Sequence, residues 1–461
     1  MLLKLIPSLK ENKVIIWINK ILCSPFYIAF VAIMLTLSAI FNVGFVFYYI
    51  IAATSIVLPA LLGEDMTGLI PLAVMLNIGI SKEVAAMNDK VVLGVNLPHF
   101  IVMVSIVTIF MFGRLIFDLI VDKERRQRFP RFLIGFCALM FAFTLGGRLF
   151  DGHTIEDYAF GIREFLALSG FYFYFFYTID FTKMKKSYFA WLLFFFALSV
   201  STQILVEACR SGLEKPLLVG WANRSGLGGT LVASFIGVTY LIIKNKARFA
   251  WIFVVFAFFF LTMLGMTQCR GAAYTGILMG IACFVLIMVF TNKFTRITTG
   301  VLTGAYVIAF ILLYNFDIDF IHKCFGRLVD FDFDTLNGYS SGRIEIWKTG
   351  LDQFIHHPVF GVGWYQIPNL GFQARYHNTL VQLLASTGIF GTLCYAFHRF
   401  ETYYVTFKKP NLEKTFAFIT ILSILISSLL DCFLFNIWLG FEYGFLLAYI
   451  EGRNLVEGNK V

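Results

Sequence analysis

The sequence predicts an all-α polytopic membrane protein, and three observations predict it. Of 461 residues, 59% are hydrophobic and only 14% are charged, against about 25% charged in an ordinary soluble domain. The apolar residues gather in runs approaching the roughly 20 residues that carry a helix across a bilayer. The basic residues sit in short clusters between those runs, as in connections retained in the cytoplasm. The net charge of +9 therefore reads as a topology signal, and no nucleic-acid partner is expected.

The runs fall at about 26–44, 45–62, 66–80, 98–121, 131–149, 161–181, 187–206, 222–243, 249–267, 272–291, 297–316, 377–400, 415–431 and 434–450. Between them lie KERRQRFPR (123–131), KMKK (183–186), KNKAR (244–248), NKFTR (292–296) and FKKP (407–410). Each basic cluster follows an even-numbered run when the N-terminus is inside, so fourteen crossings obey the positive-inside rule. The first three runs are closely spaced and the third is short, which leaves twelve crossings as the alternative with the same downstream orientation. The chain divides into transmembrane helices over 1–316 with a cytoplasmic N-terminus, a large extracytoplasmic loop over 317–376, and C-terminal transmembrane helices over 377–461 ending in the cytoplasm. The first 25 residues lack a compact apolar core followed by a small-residue cleavage site, so no signal peptide is expected. No internal repeat, low-complexity segment or second soluble domain is seen.

The loop is longer than a connector requires, and long loops are commonly functional. It contains a helix over about 342–355, in which Ile344, Trp347, Leu351, Phe354 and Ile355 form an apolar face. Ser341 is placed to cap it and Pro358 to stop it. Such a helix is expected to lie against the bundle or the lipid surface.

The eight cysteines show neither CxxC nor metal-ligand spacing. Cys137, Cys283 and Cys394 fall inside apolar runs, where cysteine serves as a small core residue. Cys209, Cys269 and Cys324 fall in segments assigned outside, where a bridge between two of them is allowed.

Alternation brings four polar motifs to the outer side. In GWANRSGLGGTL (220–231), Arg224 opens a crossing and is either a ligand-binding cation or an arginine snorkelling to the interface. In MTQCRGAAYTG (266–276), Arg270 is the only charge between Phe249 and Lys293. An ionisable residue there is costly and points to function, the alternative being a turn arginine against lipid phosphates. In YSSGRIEIWKTG (339–350), Arg343 falls in the first turn of the loop helix, where a cation opposes the dipole. The N–H groups of that terminus favour an anion, which the arginine would help to hold. In RYHNTLVQLLASTGIFG (375–391), His377 and Asn378 stand where the loop re-enters the membrane. His377 is either a general base or a helix cap.

Two other groupings are set aside. His356 and His357 are adjacent and point apart on a helix, which suits joint metal ligation poorly. DID (317–319) and FDFD (331–334) have the spacing of metal-dependent sugar transferases but no second motif beside them, so no metal site is expected. Arginines with one base suit a substrate carrying a diphosphate and a lipid tail, because the guanidinium binds phosphate bidentately without a metal.

At these motifs the sequence resembles the O-antigen ligase and O-antigen polymerase superfamily. The matching stretches are GWANRSGLGG, TQCRGAAYTG, SGRIEIWKTGLDQFIHHPVFGVGW and HNTLVQLLASTGIFG, within 220–395. The resemblance implies a multi-helix fold like that of the lipid-dependent glycosyltransferases of the GT-C type. It implies an enzyme of the bacterial cytoplasmic membrane that moves a glycan from an undecaprenyl-diphosphate-linked donor to an acceptor lipid or glycan on the outer face. No cofactor or metal is implied. Carried over by motif, the diphosphate-binding arginines fall on Arg224 and Arg270, the loop arginine on Arg343, and the proposed base on His377, with Asn378 supporting it. The first motif reads Ala222-Asn223-Arg224 where the family has Asn and Pro before a small residue. The arrangement from SGRxxxW to HN favours the ligase over the polymerase. A transporter of the same lipid-linked sugar, such as a flippase, is the alternative from another class. It predicts mid-helix charges and symmetric halves with broken helices, whereas the runs read as almost uncharged and the halves as unlike.

Overall fold

The computed structural model of the protein describes residues 1–2, 6–41, 46–79, 97–145, 155–211, 224–245, 247–316, 321–322, 325, 342–363, 376–430 and 437–458. Among them all regular structure is helical. The helices are α1 (Lys13–Leu22), α2 (Pro25–Phe41), α3 (Val46–Ala52), α4 (Leu58–Leu62), α5 (Ile70–Met75), α6 (Leu97–Val121), α7 (Lys123–Gln127), α8 (Leu133–Leu145), α9 (Ile155–Thr178), α10 (Tyr188–Ser211), α11 (Arg224–Lys244), α12 (Ala247–Met266), α13 (Arg270–Phe290), α14 (Lys293–Asn315), α15 (Arg343–His356), α16 (Thr379–Phe407), α17 (Leu412–Ser428) and α18 (Ile437–Gly458).

Every apolar run is met by helix. Among the described residues six helices, α10 to α14 and α16, are each long and apolar enough to cross a membrane, and α1 and α2 reach that length and apolarity only as a pair, bent by 66°. The second run is filled by α3 and α4 joined through a π turn over Ala53–Val57. The third holds only α5 and its flanking 3-10 turns, Thr67–Leu69 and Leu76–Ile78. Those twelve residues rise about 18–20 Å, short of the ~30 Å hydrocarbon core. The chain is thus a multi-pass helical membrane protein.

It forms two compact units, one of Met1–Arg128 with Tyr177–Val329, the other of Phe129–Phe176 with Asp330–Val461. In the first, α11 is buried along nearly its whole length while α14 is buried along almost none of it. Glycines let the inner helices approach closely. A Cβ on Gly228 would come 2.2 Å from the Cβ of Ala272, and one on Gly237 would come 2.8 Å from the Cβ of Leu193.

In the same unit a polar hub ties segments together. Arg114 is buried within α6, its Nη1 donating to the carbonyls of Pro59, Ala60 and Gly63, its Nη2 to Glu64 and its Nε to Asp118 at 2.9 Å. Arg125 reaches the same Asp118 oxygen at 2.8 Å and the carbonyl of Thr178 at 3.0 Å. Asp65 accepts N–H bonds from Thr67 and Asp180, and Lys183 pairs with Glu64. Burial pushes the Asp65 carboxyl above its ordinary range, and those two N–H groups pull it partly back.

The second unit packs α8, α9, α16, α17 and α18 around aromatic rings and a few polar side chains. The His398 ring lies 4.5 Å from Phe136, and its Nε2 is 2.9 Å from the Tyr443 hydroxyl. Arg399 lies over the rings of Tyr395 and Tyr443 with no hydrogen bond from its guanidinium, and Glu442 is buried with neither oxygen bonded. The expectation of nearly uncharged mid-helix regions is therefore corrected: α6, α16 and α18 all carry charges inward. Cys137, expected in the core, is exposed, whereas Cys283 is buried. No bridge joins Cys209 to Cys269, and Cys324 lies outside the described residues.

Candidate functional site

In the first unit, Arg224 and Arg270 open α11 and α13. Gly228 faces Ala272, and Gly276 lies against Leu264 and Val232. These contacts set α11 and α13 parallel, with both arginine-bearing termini at one end. Of Arg224 only the backbone position at the start of α11 is described.

The turn before Arg270 is tightly made. Thr267 Oγ1 donates to the carbonyl of Leu264 at 2.7 Å and accepts from the N–H of Cys269 at 3.3 Å. Between them Gln268 adopts φ 53°, a left-handed backbone that a residue with a Cβ rarely takes. Arg270 follows at the first helical position, half-buried.

In the second unit the other motif residues come together. Asn378 caps α16, its Oδ1 accepting from the N–H groups of Leu380 and Val381 at 2.9 and 3.1 Å. Its Nδ2 donates to the carbonyl of Leu429 at 2.8 Å, and Arg343 Nη1 donates to the next carbonyl, that of Leu430. Two side chains from separate motifs thus converge on consecutive carbonyls just past α17. His377, immediately before the cap, is half-buried with φ 52°. The cap role weighed for His377 belongs to Asn378.

The loop helix α15 is fastened to α16 through a small residue. A Cβ on Gly350 would come 2.5 Å from Val381 and 2.7 Å from the Tyr376 ring, and Ile346 and Trp347 complete this cluster with Ala385. The helix therefore lies against the bundle, but on a face rotated from the one expected, since Leu351 and Ile355 are 42% and 70% exposed. Its cap position is Gly342 at φ 77°, and the proposed cap Ser341 lies outside the described residues.

Beyond α15 the chain enters beside α16 where α16 breaks. Gly388 has φ 64° and ψ −164° inside that helix. The carbonyls of Ala385 and Ser386 accept from the N–H groups of Val362 and Gly363 at 2.8 and 2.9 Å. The N–H groups of Ile389 and Phe390 donate to the carbonyls of Pro358 and Val359 at 2.8 and 3.2 Å. The segment 358–363 thus satisfies the backbone groups that the break leaves open, as buried backbone requires. The approach is too close for side chains: a Cβ on Gly361 or Gly388 would lie 2.4 Å from Ser386 C or 2.3 Å from Val359 O. Sequence reasoning missed this pairing. Its signal was the pair of glycine-bearing motifs, HPVFGVGW and STGIFG, read separately.

Two details bear on the chemistry. His356 and His357 end α15, and the former's Nδ1 lies 2.9 Å from the Asp352 carbonyl oxygen of its own helix. The carboxylates at 317–319 and 331–334 lie outside the described residues.

A search of curated proteins finds no match. A family model described as O-Antigen ligase matches residues 232–396, a stretch that begins inside α11 and ends inside α16. Arg270, Arg343, His377 and Asn378 all fall within it, and Arg224 falls just before it. The arginine-led loop helix, its fastening to α16 and the His-Asn opening of α16 all lie in that matched stretch, over which this multi-pass membrane protein resembles the O-antigen ligase family.

Proposed function

We propose that the protein transfers a glycan from an undecaprenyl-diphosphate-linked donor to an acceptor hydroxyl on the outer face of the bacterial cytoplasmic membrane, without a metal and as a ligase. The observation that carries this reading is the convergence of Arg343 and Asn378 on the carbonyls of Leu430 and Leu429. His377, on a left-handed backbone, directly precedes Asn378, which shares this anchor with an arginine from a different motif of the same family stretch.

In this reading Arg270 and Arg224 hold the donor diphosphate through planar guanidinium forks. His377 takes the proton of the acceptor hydroxyl as the sugar–phosphate bond breaks. Arg343 and the diphosphate-binding arginines stabilise charge as it develops on the leaving group. Asn378 holds the histidine segment in place. The test is transfer by the purified protein in nanodiscs carrying the lipid-linked glycan. Glycan appearing on a terminal acceptor supports the ligase, and longer glycan remaining on the donor lipid replaces it with a polymerase.

A flippase for the same lipid is favoured by two observations, the break in α16 and the charges buried within α16 and α18, both features of transporters. In sealed vesicles, translocation of the lipid-linked glycan without any transfer product would replace the transferase reading.

A further inference from the structure

The end of α16 opposite His377 borders a pocket of about 310 Å³ in the second unit, at the small end of the roughly 300–1,000 Å³ typical of ligand pockets. It is lined by Arg131, Lys408 and Lys409, by Tyr404 and Val405, and by Glu451, Asn454 and Leu455 of α18. Its walls are held by hydrogen bonds. Asn454 Nδ2 donates to the carbonyl of Val405 at 2.7 Å, and its Oδ1 accepts from the buried ammonium of Lys414 at 2.6 Å. Lys414 also donates to the carbonyl of Lys409, so the strand of chain bearing the two lysines is fixed to α17 and α18.

The charge of the pocket is lopsided. Glu451 is its single acid, and both of its oxygens already accept hydrogen bonds, from the Arg131 N–H at 2.6 Å and the Tyr172 hydroxyl at 2.5 Å. Arg131, Lys408 and Lys409 are exposed and make no ion pair among the described residues. Lys408 lies over the Tyr404 ring at 5.8 Å. Running from the pocket along one face of α16 are Tyr404, Phe400, Phe397 and Leu393, at spacings of four, three and four residues, and all four are exposed. Aromatic side chains at the end of a membrane helix mark the interface with lipid headgroups.

We propose that this pocket is a binding site for one anionic phospholipid, with its phosphodiester headgroup held by Arg131, Lys408 and Lys409 and an acyl chain laid along Tyr404, Phe400, Phe397 and Leu393. Basic pockets between membrane helices recognise such headgroups, and each cation near the surface contributes about fivefold in affinity. The continuous apolar face makes a lipid, rather than a free anion, the occupant. The headgroup pocket lies outside the family stretch, which ends at residue 396, and the site does not depend on the transferase reading.

The test uses the full-length protein in nanodiscs of phosphatidylcholine with a fluorescent phosphatidylglycerol probe. The expected result is a preference for phosphatidylglycerol over an equally labelled phosphatidylcholine. The triple variant Arg131→Ala, Lys408→Ala, Lys409→Ala is expected to lower that preference on the order of 10²-fold, and Lys408→Arg with Lys409→Arg to keep it. Phe397→Ser with Phe400→Ser is expected to weaken the probe severalfold with the cations intact. Should the triple variant fail to fold, the single exposed change Lys408→Glu is expected to reduce the preference by fivefold or more. An unchanged preference in the triple variant or in Lys408→Glu overturns the site. Displacement of the probe by millimolar inorganic phosphate as readily as by unlabelled lipid overturns the lipid as its occupant.

Discussion

Gln268 and His377 are the two non-glycine residues with left-handed backbone among those described, and each stands in a motif turn. That conformation costs about 1–2 kcal/mol where a Cβ is present, and such strain persists where the surrounding structure demands it, often at functional sites. His377→Gly is therefore expected to leave thermal stability equal or raised by up to about 1 kcal/mol while turnover falls on the order of 10²–10⁴, read by melting curves and transfer rate on the same preparation. His377→Asn keeps a residue that tolerates the left-handed region and leaves the Asn378 cap in place, so it isolates the imidazole; near-normal turnover there would end the base assignment. Arg270→Ala is expected to abolish transfer at unchanged protein level, and Arg270→Lys to recover little, because an ammonium lacks the planar fork. Full activity in Arg270→Lys would reduce the site to a simple positive charge. At this scale the sequence was a good guide to which residues matter. It was a poor guide to how they are held, because the carbonyls that receive Arg343 and Asn378 belong to leucines 87 and 51 residues away, and a leucine carbonyl has no signature in sequence.

Among the elements, α15 and α16 show where periodicity misleads. The apolar positions of α15 phase its greasy side chains onto one face, but the packed face is the one bearing Gly350. A helix lying against a lipid surface can leave greasy residues facing the lipid, and membrane helices meet on small residues. The same logic hides the break in α16, whose Gly388 resembles any small residue of a membrane helix until 358–363 is laid against it. Gly388→Ala and Gly361→Ala each add a Cβ that meets backbone within 2.4 Å at a positive φ. Both are expected to lower the melting temperature sharply or to prevent accumulation of folded protein. Gly280→Ala, whose Cβ meets nothing within 4 Å, is expected to be neutral or stabilising by about 1 kcal/mol. Equal melting temperatures for the three variants would remove the pairing of 358–363 with α16.

Across the whole molecule, every run is met by helix, because length and hydropathy are what a bilayer selects, though the second and third are met by short pieces and α1 and α7 lie outside any run. The run pattern hid Arg114, which sits inside a run and finds its partners some 50 residues back in sequence. Arg114→Leu strips five hydrogen bonds and leaves carbonyls of 59–64 without their donor. It is expected to destabilise by about 3–5 kcal/mol, measured as loss of folded protein in detergent at constant expression. Orientation is tested by single cysteines on a cysteine-free background. An impermeant reagent applied to intact cells is expected to label positions 337 and 373 and to spare 246 and 408; labelling at 408 reverses the arrangement. The break in α16 also dictates an order of assembly. Residues 358–363 leave the ribosome before α16 does, yet their amides and carbonyls have no partners in hydrocarbon until α16 arrives. They must wait in the aqueous phase or headgroup layer, and the re-entrant segment slots in as a late step of biogenesis. In Gly388→Ala that step is blocked, and protease added during synthesis is expected to cut between α15 and α16 at a site the mature wild-type protein shields.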